Sequence, residues 1–248
     1  MCQQRFSQLM FAVVCVAATA VATNEATATF IELNPDGSGT SVVLADLLDG
    51  TYTGVTVGDK SFDEFFYATL PNDDMPEPED INVFGFQDLD GNFGLTFQGA
   101  FIDLPGGIGL SDATLSFTVS VTEEAARQGY RISDAHLFAE GVGLGPESFF
   151  AVDESFAQSG SDEKLNVFAT TLNGSDESVL SDWVFFDELY TSLRVTKDIL
   201  AIANDDSNQP VRATIIRQSF SQVKIPEPAS LGLAALCAVG IAMGRRKF

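Results

Sequence analysis

Asp88, Asp90 and Asn92 set three oxygen-bearing side chains at alternate positions with Gly91 among them, the best local candidate for chemistry in this 248-residue chain. A hard cation such as calcium takes carboxylate and amide oxygens at that spacing around a glycine turn. The third acidic position and the closing acidic residue of a calcium loop are missing, so a second reading stands beside it. Asp90-Gly91 suits the tight turn of a β-hairpin, which would bring Phe84 and Phe86 to face Phe93, Leu95 and Phe97. Calcium is the one cofactor the residues suggest. The single histidine, His136, has Ser133 and Asp134 nearby, but neighbours two and three apart on a strand do not assemble a triad. It reads as a strand histidine facing solvent. With 34 Asp and Glu between residues 23 and 225, any one carboxylate pair chosen for glycoside hydrolysis would be arbitrary, so no catalytic residue is assigned.

The elements that must position these groups are strands. Leu115, Phe117, Val119 and Val121 alternate with polar partners, as do Leu165, Val167 and Ala169. Strands are also predicted over Thr51 to Val57, Phe62 to Leu70, Ile132 to Glu140, Ser148 to Phe156, Ser178 to Phe186, Ser192 to Ile202 and Val211 to Ser221. Short helical turns are expected within Val42 to Leu48 and Thr122 to Gln128. The fold class is all-β: a single β-sandwich body, jelly-roll-like, flanked by an N-terminal signal helix and a C-terminal transmembrane helix. Twenty-one phenylalanines against one tryptophan and four tyrosines favour buried rings over sugar-binding platforms. The doublets Phe65-Phe66, Phe149-Phe150 and Phe185-Phe186 put one ring on each side of a strand. Some of them should therefore be covered on both faces, and an outer ring left bare would be a surface for association.

Composition narrows the partners. Residues 23–225 hold nine Lys and Arg against 34 Asp and Glu, a net charge of −25 that repels nucleic acid phosphates. Cys2, Cys15 and Cys237 all lie in the terminal segments, which excludes disulfides and thiol chemistry from the body.

Both termini read as addresses. Arg5, an apolar stretch from Leu9 to Ala18 and small residues up to Ala22 form a signal peptide over 1–22, cut by signal peptidase. At the other end Pro226-Glu227-Pro228 precedes sixteen uncharged residues, 229–244, then Arg245, Arg246 and Lys247. As a helix this span reaches roughly 24 Å against a hydrocarbon core of roughly 30 Å. Snorkelling by the basic residues covers the difference, and the basic cluster stays cytoplasmic as a stop-transfer tail.

This tail, over 226–248, resembles the PEP-CTERM sorting signal, also grouped with an ice-binding protein C-terminal domain that implies nothing for the body. The resemblance implies export, transient anchoring in the cytoplasmic membrane and recognition by exosortase near Pro226, Glu227 and Pro228. The acidic body over 23–225 is similar to a group of PEP-CTERM proteins without an assigned biochemical activity, through VTVGDKSFDEFFY, YRISDAHLFAEGVG, VLSDWVFF, SLRVTKDILAIA and RQSFSQ. The expected protein is a non-catalytic component of the cell envelope or extracellular matrix, structural, adhesive or associated with exopolysaccharide or envelope proteins. The alternative is a secreted carbohydrate-active or calcium-dependent glycan-binding domain.

Overall fold

The computed structural model describes residues 29–107, 109–157 and 163–225. The signal peptide expected over 1–22 and the tail expected over 226–248, with its sorting triplet, apolar span and basic residues, lie outside the described residues.

Among the described residues fourteen strands, numbered along the chain, form two sheets. Across the larger sheet the order is β1 (Thr29–Glu32), β3 (Tyr52–Val57), β4 (Lys60–Thr69), β7 (Ser111–Val121), β13 (Ser192–Ile202), β9 (Phe149–Phe156), β10 (Lys164–Thr170) and β11 (Glu177–Val179). The smaller one runs β12 (Ser181–Tyr190), β8 (Tyr130–Glu140), β14 (Val211–Lys224), β6 (Phe93–Asp103), β5 (Asn82–Gln87) and β2 (Val42–Val43). Only β1 and β3 pair in parallel among the described strands. Two five-residue helices join them: α1 (Leu44–Leu48), and α2 (Glu123–Arg127), whose N-cap Thr122 accepts from the Ala125 amide.

The sheets stack through their apolar faces as a β-sandwich. In β13, Leu193, Val195, Ile199 and Ala201 point inward and are wholly buried; Phe62, Phe97, Phe117 and Phe220 meet them from both sheets. Phe62, Phe97 and Phe65 all pack on the Phe117 ring, at centroid distances of 5.8–5.9 Å.

Two lysines occupy inward positions that alternation would give to apolar residues. Lys197 is wholly buried and bonds Glu154 of β9 in its own sheet and Gln218 of β14 in the facing sheet. Lys60 repeats the pattern with Asp59 and Gln222, the latter again on β14. Burial pulls both lysines below their ordinary range and pushes Glu154 above its own, while Asp59 beside Lys60 and the pairing of Lys197 with Glu154 oppose those shifts.

Several expectations are corrected. The Ser178 to Phe186 segment divides at Leu180 into β11 and β12, which belong to different sheets. The Phe84–Phe97 hairpin forms in another register: Phe84 lies opposite Thr96 and Phe86 opposite Gly94, while Val83 and Gly85 face Phe97 and Leu95. Because strand side chains alternate, Phe84 and Phe86 therefore lie on the outer face, and Leu95 and Phe97 in the core. The phenylalanine doublets need no such correction: Phe65-Phe66 and Phe185-Phe186 split between core and solvent, with the outer ring bare, Phe66 49% and Phe185 65% exposed. Trp183 is bare as well, at 58%. β14 extends past the expected Ser221 through Lys224, paired with Tyr130, and the Ile225 amide donates to the Gly129 carbonyl, so the sorting triplet follows the last strand directly.

Candidate functional site: an aromatic-walled trough on the smaller sheet

The outward positions of the smaller sheet form rows across its strands. One row reads Trp183, His136, Ser219, Gly94, Phe86, from β12 through β8, β14 and β6 to β5. The next reads Ser181, Phe138, Arg217, Thr96, Phe84. Aromatic rings stand toward the flanking strands, and small or polar groups occupy the middle ones. Period-two alternation on five strands thus builds a trough with ring walls, its floor polar at Arg217 and Thr96 and covered at Ser219.

Two hollows of about 380 and 360 Å³ lie along this face and share Phe86, Gln87 and Arg217. Each falls in the size range of small-ligand sites. Arg217 is the hinge between them: its Nη1 lies 2.5 Å from Glu140 Oε1, and its guanidinium carbon sits 5.7 Å from the Phe86 ring centroid. At the trough's β12 side Trp183 and Phe185 meet edge to face at 4.9 Å. Trp183 stands directly opposite His136.

The structure places the calcium candidates in the five-residue loop that closes the β5–β6 hairpin. The Asp88 amide donates to the Asn92 carbonyl at 2.9 Å, and Gly91, at φ 89°, donates to the Asp88 carbonyl at 3.1 Å. The positive φ at Gly91 is what the Asp90-Gly91 dipeptide supplies. Asp88 Oδ1 accepts from the Asp90 and Asn92 amides, and Oδ2 from Asn92 Nδ2 and from Ser219 Oγ at 2.7 Å. Burial alone would raise the Asp88 carboxyl, but the Ser219, Asn92 and Asp90 donors together hold it below its ordinary range. Asp88 thus staples the loop to the floor of the trough, where Ser219 is wholly buried beneath it.

His136 is brought into a network that strand spacing did not predict. Its Nε2 lies 3.0 Å from Asp134 Oδ1, two residues away on the same face; Ser133 Oγ donates to Asp134 Oδ2, and the Ser221 amide to Oδ1. The Asp134 hydrogen bond raises the imidazole above its ordinary value against the effect of burial. Because Nε2 takes the carboxylate, the contact orients the ring within the trough wall. The Ser221 hydroxyl approaches that same nitrogen at 3.5 Å, so Ser221, His136 and Asp134 are not in the serial order of a nucleophilic triad.

A close carboxylate pair lies in the larger sheet. Burial and the Asp198 hydrogen bond push Asp112 up to about 6. Among the described residues no group of three or more His, Cys, Asp or Glu is set to hold a metal ion.

Fold and face define an acidic β-sandwich with a polar, aromatic-walled trough. The protein carries the PEP-CTERM protein-sorting motif, whose profile matches residues 224–247. That motif marks an exported chain sorted at the cell envelope. No curated protein matches the chain. Among solved structures it is similar to TmCBM61 in complex with β-1,4-galactotriose, at 10% identity over 65% of this chain and 89% of that one, TM-score 0.27. TmCBM27, a carbohydrate-binding module described for specific mannan recognition, is 12% identical over 66% and 99%, TM-score 0.25. The enzymatically active domain of bacteriophage CBA120 tailspike protein 4 is 11% identical over 62% of this chain but 19% of its own, TM-score 0.25. Overlaps this low leave the function to be read from this chain's own residues.

Proposed function

We propose that this is a non-catalytic, glycan-associating protein of the cell envelope or extracellular matrix, exported, held for a time by its apolar tail and released or transferred by an exosortase. The observation that carries the reading is the trough, with bare Trp183 and Phe185 at one side, Phe86 at the other and fixed polar groups between them. Sugar rings present an apolar face to aromatics and hydroxyls to polar floors, and this arrangement offers both. An exposed tryptophan on a sheet face also costs solubility, which a body of net charge −25 offsets.

The binding half is tested on a glycan array with the full-length chain in a sugar-free detergent. Trp183→Ala is expected to weaken binding by about 2 kcal/mol, roughly thirtyfold, as for an aromatic anchor. Folding stability should stay within about 0.5 kcal/mol, since the side chain is exposed. Uniform silence of the array, or full binding by the variant, would sink the reading. The sorting half is tested by the mass of the mature carboxyl end in cells with and without exosortase. Loss of residues 229–248 is expected only in competent cells, and their retention there would refute processing.

A further inference from the structure

Charge inside the trough narrows the ligand class, an argument that rests on the saccharide reading above. Among the described residues Arg217 is the only lysine or arginine lining either hollow, with His136 beside it already held by Asp134, against Asp36, Asp88, Asp90 and Glu140. Its guanidinium is engaged by Glu140 and laid over Phe86. Asp88 keeps its charge through its donors from Ser219, Asn92 and Asp90. A sugar carboxylate or sulfate reaching Arg217 would have to displace Glu140 and leave that carboxylate unpaired beside it. It would do so within the field of a body carrying −25. A neutral sugar meets none of these costs: its hydroxyls can donate to Glu140 and accept from Arg217 while the pair stays intact.

We infer that the trough takes uncharged saccharide chains, and that Glu140, by occupying Arg217, is the residue that excludes polyuronates. Neutral polysaccharides (a glucan, a mannan, a galactan) and polyuronates (alginate, polygalacturonate) are compared on the full-length chain in a sugar-free detergent. Affinity for a neutral chain is expected to change less than about twofold between about 0.05 and 0.5 M NaCl, because screening acts on charged ligands. Polyuronates should not bind. Glu140→Gln should acquire polyuronate binding at low salt, lost at high salt and abolished by adding Arg217→Gln. Polyuronate binding by the native chain, or no gain in Glu140→Gln, overturns the inference and leaves the saccharide reading standing. If neither class binds the native chain, the saccharide reading falls and the inference falls with it.

Discussion

Lys197→Met is expected to cost about 3–5 kcal/mol of folding stability, because it leaves the Glu154 carboxylate buried without its cation. Against the roughly 5–15 kcal/mol that holds a typical domain together, such a loss removes a third or more of the margin. Lys197 and Glu154 are 0% and 1% exposed, on paired positions of β13 and β9, and the lysine also reaches Gln218 in the facing sheet. Glu154 Oε1 and Gln218 Nε2 have no hydrogen-bond partner of their own, so a neutral amide is what the cluster could offer the carboxylate in place of the cation. The sign of the pH dependence follows. A lone buried Glu154 has its folded pKa raised above the unfolded value, so its folded state binds a proton the unfolded state releases. Stability of the variant should therefore fall as pH rises from about 5 to 8, more steeply than in the native chain. Urea unfolding at the two pH values measures it. The triple change Lys197→Met, Glu154→Leu, Gln218→Leu should recover the loss, since replacing a whole buried polar cluster by apolar volume is often neutral or stabilising. A small, pH-independent effect of Lys197→Met would show that water or rearrangement satisfies Glu154.

Gly94→Ala carries the second large effect, and it couples the fold to the trough. Gly94 lies opposite Ser219 in the β6–β14 ladder, and a Cβ there would overlap the Gln218 carbonyl oxygen and sit 2.7 Å from the Ser219 Cα. Both obstacles are backbone, so a rotamer change cannot relieve them. Forcing one methyl group into this contact should cost about 3 kcal/mol and push β14 away from β6. The Ser219–Asp88 bond spans that seam, so the hairpin loop over 88–92 loses its anchor and saccharide binding should fall with stability. Gly143→Ala is the control: its Cβ would meet only the Arg212 side chain, at 3.4 Å, and a change below about 1 kcal/mol is expected. Urea midpoints of the two variants, measured beside array binding, decide the matter; equal midpoints would mean that the ladder at Gly94 yields without loss.

Much of the strand pattern was legible because period two is a local property. Leu193, Val195, Ile199 and Ala201 announce the inward face of β13, and the predicted Ser192–Ile202 boundaries hold. The same alternation held a signal for the buried cluster. Lys197, Glu154 and Gln218 each occupy an inward register position between apolar neighbours, and three such exceptions on three strands point to mutual satisfaction. What defeated the reading of the 84–97 hairpin was register. A slip of one residue exchanges the two faces, and only the five-residue loop closed by the Asp88 carboxylate decides it.

By itself the sequence determined the route and the material: the sorting motif over 224–247, a cysteine-free body of net charge −25, and strands with one apolar side. These are properties of adjacent residues, readable wherever spacing alone sets the chemistry. The tertiary structure decided the trough. Trp183, His136, Ser219, Gly94 and Phe86 are separated along the chain and become one row only through the strand order β12, β8, β14, β6, β5. That order is set by which sheet edges find each other during folding. No local spacing of residues records it.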